Sequence, residues 1–265
     1  MSDFITVISD VHVGHSHAPW PDNFELESGN IVKPNKVQYY LNEYWKDFWS
    51  RPEVKQSQYV INMEESIEGY SPREHAPQDL MTVDLNEQVR AFKALIDPYI
   101  KDKIYLCVEG SQYHGSQDNR MAQMVMNALE CKKKVYFGSL GNWKHRPTGA
   151  HFILTHKISS AMLYKVTALD RWSLYLSAIK SKIGFDPDCV ISGHHHTFFA
   201  EMTPSRLLIQ CPSWKLWHPI KDASRYVYSQ PTIGGITLQV DKDKNITVKR
   251  HFYPLKHLSD AMLQI

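Results

Sequence analysis

The fold of this chain is decided by one stretch, Asp188-Cys189-Val190-Ile191-Ser192-Gly193-His194-His195-His196. Its apolar first half predicts a buried strand, and that strand ends in three consecutive histidines. Side chains two positions apart lie on the same side of an extended chain, so we expect His194 and His196 to converge while His195 points away. Imidazole is the commonest metal ligand. The stretch therefore favours a metal site over the alternative, a histidine-rich surface turn.

Four other apolar runs end in the same way, with potential ligands directly after them. The runs and the residues that follow are 4–9 with Asp10 and His12, 59–63 with Glu64 and Glu65, 104–108 with Glu109 to His114, and 151–155 with His156. Open α/β sheets place their sites at the carboxyl ends of strands. Carboxylate and imidazole ligands without thiolate suit manganese, iron or zinc rather than magnesium alone.

Helical patterns alternate with these strands. Apolar residues recur at three- and four-residue spacing over 36–49 and 83–100, and further helices are predicted over 121–129 and 158–183. After His196, short strands are predicted over 197–202, 206–210, 232–240 and 246–253, and we expect them to make a second sheet. The pattern predicts an α/β fold in one domain over 1–265.

Composition is that of an ordinary globular domain. The 265 residues are 43% hydrophobic and 22% charged, and the formal net charge of +2 is too small to indicate a nucleic-acid partner by itself. Neither a membrane span nor a secretory signal is apparent, so we expect a cytoplasmic protein, in the host cytoplasm if the chain is virus-encoded. The four cysteines are spread out, and Cys107 and Cys189 lie in strand-like runs, which indicates buried thiols in a reducing compartment.

The order of the motifs resembles that of the calcineurin-like metallophosphoesterases. The pattern of that family is Asp-x-His, Gly-Asp, Gly-Asn-His, a lone His and then Gly-His-x-His. Asp10 with His12, the lone His156, and 193–196 match it, and the resemblance covers nearly the whole chain. It implies a four-layer α/β/β/α sandwich, in which two mixed sheets pack face to face between flanking helices. The strands and helices predicted above allow that architecture.

The second block of the pattern departs from the family. Glu64 stands where the family has Gly, and Glu65 stands where it has the metal-bridging Asp. The extra methylene of Glu65 changes the reach of the carboxylate by roughly 1.5 Å, in a pair of sites that tolerates only about 3.5–4 Å between ions. Glycine commonly serves where backbone is strained, so Glu64 predicts local strain. A solvated acidic pair after a strand is the alternative.

The third block departs as well. Ser111 and Gln112 follow Gly110 where Asn and His are expected, and His114 comes two residues late. This resembles some virus-encoded and bacterial members, which read Gly-Thr-x-x-His here. The resemblance implies that Ser111 or the Gln112 amide oxygen is a ligand and that His114 is catalytic. An ordinary loop histidine is the alternative for His114.

The resemblance also implies a mechanism with two divalent ions, manganese first, with iron, zinc and magnesium as alternatives. The first ion would be held by Asp10, His12, Glu65 and His196, and the second by Glu65, Ser111 or Gln112, His156 and His194. A hydroxide between the ions would attack phosphorus in line. His114 would stabilise the transition state or protonate the leaving oxygen.

Three functions remain open at this stage. The repair-nuclease branch shares Gly-His-x-His more distantly, so a phosphodiesterase or nuclease is the first prediction. A phosphomonoesterase acting on a small molecule or phosphoprotein is the second, and a metal-binding homologue without catalysis is the third. Basic and aromatic residues interleave over 132–137 with 143–146, and over 214–228. These stretches either hold phosphates and stack bases or cover buried tryptophans.

Overall fold

Two β-sheets form the centre of the computed structural model, which describes residues 2–70, 79–111, 120–158, 166–217 and 230–256. The strands of the first sheet are β1 (Asp3–Ile8), β4 (Tyr59–Asn62), β5 (Ile104–Cys107), β6 (Lys133–Tyr136), β12 (Ile233–Val240) and β13 (Ile246–Tyr253). Their spatial order is β13-β12-β1-β4-β5-β6. β1, β4, β5 and β6 run parallel, while β12 is antiparallel to β1 and β13 is antiparallel to β12.

The second sheet also mixes parallel and antiparallel pairs. Its strands are β7 (Gly141–Lys144), β8 (His151–Thr155), β9 (Cys189–Ser192), β10 (Phe199–Met202) and β11 (Leu207–Gln210). Their order is β10-β11-β9-β8-β7, with β8, β9 and β11 parallel and the two edge strands antiparallel to their neighbours. A short hairpin, β2 (Phe24–Glu25) with β3 (Ile31–Val32), lies apart from both sheets.

The helices connect the strands, and two of them begin at clear sequence signals. They are α1 (Lys36–Ser50), α2 (Pro52–Gln56), α3 (Leu85–Ile100), α4 (Arg120–Ala128) and α5 (Val166–Ile183). Asn35 and Gln38 form a capping box at the start of α1, and Asp84 accepts hydrogen bonds from two backbone amides at the start of α3. These caps satisfy backbone donors that would otherwise lack partners.

Three groups of buried side chains define the layers. One group fills the space between the sheets, and its members include Ile5, Val7, Ile61 and Leu106 from the first sheet and Phe152, Leu154, Ile191 and Ile209 from the second. A second group joins the outer face of the first sheet to α1, α3 and α4, and a third joins the outer face of the second sheet to α5. The chain is therefore an α/β/β/α sandwich, and the fold prediction is confirmed.

One part of the topology prediction is wrong. The strands after His196 do not make the second sheet by themselves, because only β10 and β11 enter it, beside β7, β8 and β9. β12 and β13 instead extend the first sheet, where β12 pairs with β1. The strands β6 and β7 have no counterpart in the sequence prediction. Within the residues described, none of the helices has the length and hydropathy needed to cross a membrane.

Gly234 in β12 offers a test of this sheet. A Cβ atom there would lie 2.0 Å from the carbonyl oxygen of His251 in β13, and φ is +141°. We expect Gly234→Ala to lower the free energy of unfolding by about 1–3 kcal/mol, seen as a fall in Tm of roughly 2–10 °C. Gly29→Ala is the control, because Gly29 also has positive φ but open space around it. Equal losses in the two variants would contradict the close packing at Gly234.

Candidate metal centre

Five strands from both sheets end at one place. β1, β4 and β5 of the first sheet and β8 and β9 of the second each lead into one of the predicted ligand segments. Because parallel strands end at the same sheet edge, and the two sheets lie face to face, the five segments converge at the junction between the sheets.

Asp10, His12 and His196 form the first cluster. The distance from Asp10 Oδ1 is 3.8 Å to His12 Nε2 and 3.3 Å to His196 Nε2, and the two Nε2 atoms are 3.2 Å apart. All three residues are buried or nearly so, and their ligand atoms lie within 4.8 Å of one another. One carboxylate and two imidazoles at this spacing can share a single divalent ion.

A second cluster adjoins the first. His156 Nε2 is 3.4 Å from Glu65 Oε1 and 4.0 Å from Asp10 Oδ1, and the ring centroid of His194 is 5.3 Å from that of His156. The backbone amide of Ser111 donates to Glu65 Oε1 at 2.6 Å. Asp10 Oδ1 thus lies within 4.0 Å of imidazole nitrogens from both clusters, a shared position that the sequence analysis assigned to Glu65.

The ligand segments have left-handed backbone. Eight non-glycine residues have positive φ in the described part of the chain, and six of them are Asp10, His12, Glu64, Glu65, His194 and His196. Such conformations cost on the order of 1–3 kcal/mol each and persist only when neighbouring structure enforces them. Here Asp10 N donates to Glu64 O at 2.8 Å and His12 N donates to Glu65 O at 2.7 Å.

The expected geometry of the histidine segment is therefore wrong. We predicted an extended chain in which His194 and His196 point the same way, but their φ angles are +76° and +55°. The ring of His194 packs near that of His156, whereas the ring of His196 lies 4.9 Å from that of His12. The two side chains serve adjoining clusters because the backbone turns between them.

Two of the predicted ligands, His12 and His156, contact neighbouring groups through their imidazole Nδ1 atoms. His12 Nδ1 is 2.6 Å from Glu68 Oε2, and Lys215 Nζ is 2.7 Å from the other oxygen of that carboxylate. His156 Nδ1 is 2.6 Å from the carbonyl oxygen of Met63. Since a carboxylate and a carbonyl accept hydrogen bonds, both rings carry hydrogen on Nδ1 and present the Nε2 lone pair to the site.

His196 has the opposite arrangement. The indole Nε1 of Trp217 donates to His196 Nδ1 at 3.2 Å, so a neutral His196 ring carries its hydrogen on Nε2. That hydrogen faces Asp10 Oδ1 and His12 Nε2. Coordination of an ion through His196 Nε2 requires this hydrogen to leave, so the bond from Trp217 competes with metal binding.

Burial and neighbouring charges set the protonation of the site. Burial would raise the pKa of Asp10, but His196, His12 and His156 outweigh it and hold that pKa well below its usual range. Burial lowers the pKa of His194 to about 2 and also lowers the pKa of His196 despite the nearby Asp10. Burial would lower the pKa of His12, but the neighbouring Glu68 carboxylate outweighs it and raises that pKa. Metal coordination needs the carboxylate ionised and each coordinating imidazole neutral.

Glu64 and Glu65 are not a solvated pair, so that alternative is wrong. Each is 3% exposed. The Glu64 carboxylate accepts hydrogen bonds from Asn62 Nδ2 at 3.2 Å, Ser66 Oγ at 3.0 Å and Cys107 Sγ at 3.1 Å. Burial raises the pKa of Glu64 to about 7, with Glu65 adding to the shift against these donors. The strain predicted at Glu64 is confirmed by its φ of +73°.

Close approach of backbone and unsatisfied polar atoms around the clusters are compatible with a bound metal ion. A Cβ atom on Gly193 would lie 2.4 Å from Ser9 Oγ, and one on Gly110 would lie 3.0 Å from Glu65 Oε1, so both positions need glycine for close approach. His156 Nε2 and Ser111 Oγ are buried and make no hydrogen bond within the described residues. Two buried polar atoms of this kind beside carboxylates are available as ligands.

Two of the predicted site residues lie outside the described part of the chain. Three residues that contact the site were not predicted to belong to it. Gln112 and His114 fall in 112–119, which the structure does not describe. The roles of Glu68 as an orienting carboxylate, of Lys215 as its counterion and of Trp217 were missed. Glu68 comes only three residues after Glu65. A single sequence, however, does not distinguish a buried acid from a solvated one.

Two of the tryptophans that could have stacked on bases pack against other side chains instead. Trp214 is fully buried in the core beside Trp45 and Phe48. Trp143 packs against Tyr59 and Phe152 at the edge of the core between the sheets. Both side chains serve packing, and 218–229 lies outside the described residues.

Comparison with known proteins gave structural likenesses only. No protein-family model and no curated relative matches the sequence. Vps29 of Entamoeba histolytica complexed with zinc is 13% identical, with a TM-score of 0.42 over 94% of this chain and 98% of that one. A novel archaeal phosphodiesterase is 14% identical, with a TM-score of 0.44 over 93% and 98%. A putative 5'-nucleotidase from Staphylococcus aureus is 13% identical, with a TM-score of 0.43 over 100% of this chain and 58% of that one.

Trp217→Phe tests whether the hydrogen bond from Trp217 to His196 Nδ1 opposes metal binding. Phenylalanine keeps the aromatic bulk but cannot donate, so the Nε2 lone pair becomes available without breaking a hydrogen bond. We expect Mn²⁺ to bind the first cluster about 2- to 10-fold more tightly, the worth of one ordinary hydrogen bond, in calorimetric titration of metal-free protein. Trp143→Phe, which alters an indole away from the site, is the control. Weaker or unchanged binding in Trp217→Phe would show that this bond does not compete with the ion.

Proposed function

We propose that this chain, which resembles the calcineurin-like metallophosphoesterases in motif order and in architecture, is a metal-dependent phosphoester hydrolase. The observation that supports the proposal best is the pair of adjoining carboxylate and imidazole clusters, in which Asp10 Oδ1 lies within 4.0 Å of His12, His156 and His196. Paired sites of this kind suit displacement at phosphorus, where both the entering and the leaving oxygen need charge stabilisation.

The ligand residues divide into two sets. Asp10, His12, Glu65 and His196 would hold the first ion, and Glu65, Ser111, His156 and His194 would hold the second. When bound, two divalent ions would supply positive charge for the phosphoryl oxygens and lower the pKa of water. Manganese is the first choice because the donors are oxygen and imidazole nitrogen without thiolate, with iron, zinc and magnesium as alternatives.

The side chains of this site contribute before any ion binds. Asp10 keeps its negative charge because neighbouring imidazoles hold its pKa low. His156 is oriented by the Met63 carbonyl, so its Nε2 needs no rearrangement to coordinate. His114 is proposed to stabilise the transition state or to protonate the leaving oxygen, since a general acid raises turnover by roughly two to four orders of magnitude.

We propose a phosphodiester as the substrate, with nucleic acid as one member of that class. Lys132, Lys133 and Lys134 are exposed, but they lie at the amino end of β6, beside Ile104 at the start of β5 and opposite the edge that carries the clusters, so they add no charge at the site. Trp143 and Trp214 do not add stacking surfaces either, so the proposal rests on the metal clusters.

A metal-binding homologue without catalysis is the second candidate. The Glu64 carboxylate is buried and held by three donors where the family has glycine, and Ser111 offers a neutral hydroxyl where an amide oxygen is expected. A neutral hydroxyl coordinates a dication weakly, so one site would fill less readily than the other.

The deciding experiment is an assay of metal-free protein reloaded with Mn²⁺. Bis-p-nitrophenyl phosphate, p-nitrophenyl phosphate and single- and double-stranded oligonucleotides are the substrates. Turnover of the diester supports the proposal, and cleavage of oligonucleotides narrows it to a nuclease. Turnover of the monoester alone makes the protein a phosphomonoesterase. Bound Mn²⁺ without turnover of any substrate supports the second candidate and overturns the proposed activity.

Glu65→Gln tests the carboxylate that the two sets are proposed to share. Loss of the charge that offsets two dications should weaken both sites and reduce turnover at least 100-fold, because ligand or charge removal at a paired site affects both ions. Glu64→Gln is the matched control: the neighbouring acid is equally buried, and burial raises its pKa to about 7. If Glu65→Gln binds two Mn²⁺ ions as well as the parent, Glu65 is not a ligand.

A further inference from the structure

We propose that Glu68, with Lys215 as its counterion, is a positioning residue that sets the affinity of His12 for a metal ion. The inference extends the proposed function only in its metal-binding half. Glu68 is fully buried and joins an imidazole to an ammonium group: one oxygen is 2.6 Å from His12 Nδ1 and the other is 2.7 Å from Lys215 Nζ.

Backbone contacts hold Glu68 and Lys215 against the ligand segment. The pairing between β1 and β4 continues past both strands, where Val13 bridges to Ile67 and Glu68 N donates to Val13 O at 2.9 Å. On the other side, Trp214 N donates to Asp10 O at 3.0 Å and Leu216 N donates to His17 O at 2.9 Å. Lys215 therefore lies between two residues anchored to the segment that carries His12.

The chemistry follows from the charges. The negative charge of a buried carboxylate needs a counterion, and the largely buried Lys215 supplies it. Lys215 contacts Oε1 of Glu68, which leaves Oε2 for His12. With its hydrogen on Nδ1, which lies 2.6 Å from the Glu68 carboxylate, His12 has its Nε2 lone pair facing Asp10 and His196. A carboxylate behind a ligand imidazole fixes the tautomer and raises ligand basicity, and its loss typically weakens metal binding about 10- to 100-fold.

A purely structural role makes a different prediction. If the three groups only hold the turn after β4, their removal lowers the stability of the metal-free protein and leaves the intrinsic metal affinity of the folded state unchanged. If Glu68 positions His12, the affinity of the first site falls while the second site, built around His156, is retained. Titration of folded, metal-free protein separates the two roles.

The experiment compares Glu68→Gln, Lys215→Met and the double variant with the parent. Mn²⁺ is titrated into metal-free full-length protein by calorimetry, and Tm is measured in EDTA. We expect Glu68→Gln to bind the first Mn²⁺ ion about 10- to 100-fold more weakly. Lys215→Met should weaken it less, and the double variant should match Glu68→Gln alone, because Lys215 acts through Glu68. Glu87→Gln is the control, a buried acid paired with Arg90 away from the site.

Each outcome is decisive. Parent-like Mn²⁺ affinity in folded Glu68→Gln overturns the inference. Should Glu68→Gln fail to fold, Lys215→Met carries the test, and parent-like affinity in that variant overturns it equally. Binding of Mn²⁺ by the parent without hydrolysis, together with weakened binding in the variants, overturns the proposed activity and supports the positioning role. A parent that binds no Mn²⁺ overturns both.

Discussion

The site depends on a continuation of strand pairing past the ends of the strands. Beyond β1 and β4, the amides of Asp10 and His12 still donate to carbonyl oxygens of Glu64 and Glu65, although all four residues have left-handed backbone. This pairing brings two ligand segments of the first sheet together, and the face-to-face packing of the sheets brings His156 and the histidine run to them. The cost of the strained conformations is met by the surrounding sheets rather than by the segments themselves.

Burial of four carboxylates at one place creates a charge problem that is solved differently at each. Glu68 forms an ion pair with Lys215 and lies 2.6 Å from His12 Nδ1, and the pKa of Glu64 is raised to about 7 by burial. Asp10 stays ionised beside imidazoles, and Glu65 faces His156. Dications at these two carboxylates would offset their negative charge more fully than the imidazoles do.

The sequence predicts this fold well where periodicity is strong. The strands that precede Asp10, Glu64, Glu109, His156 and Gly193 were each located to within about one residue, because apolar runs bounded by polar segments are clear signals. The sequence did not predict that β12 pairs with β1, since the order of strands in a sheet is set by long-range packing. The ligand segments were expected to be extended, whereas left-handed backbone at non-glycine residues has no local signal and follows from tertiary contacts.

The segment after β11 influences the tautomers of His12 and His196, which a single sequence does not predict. Lys215 supports His12 through Glu68, whereas Trp217, two residues later, donates to His196 and keeps hydrogen on the atom that faces Asp10. The two imidazoles of the first cluster are therefore held in opposite tautomers by one stretch of chain. Since the affinity of an imidazole for a metal ion depends on which nitrogen bears the hydrogen, we expect Lys215 and Trp217 to have opposing effects on metal binding at the first cluster, although neither is a ligand.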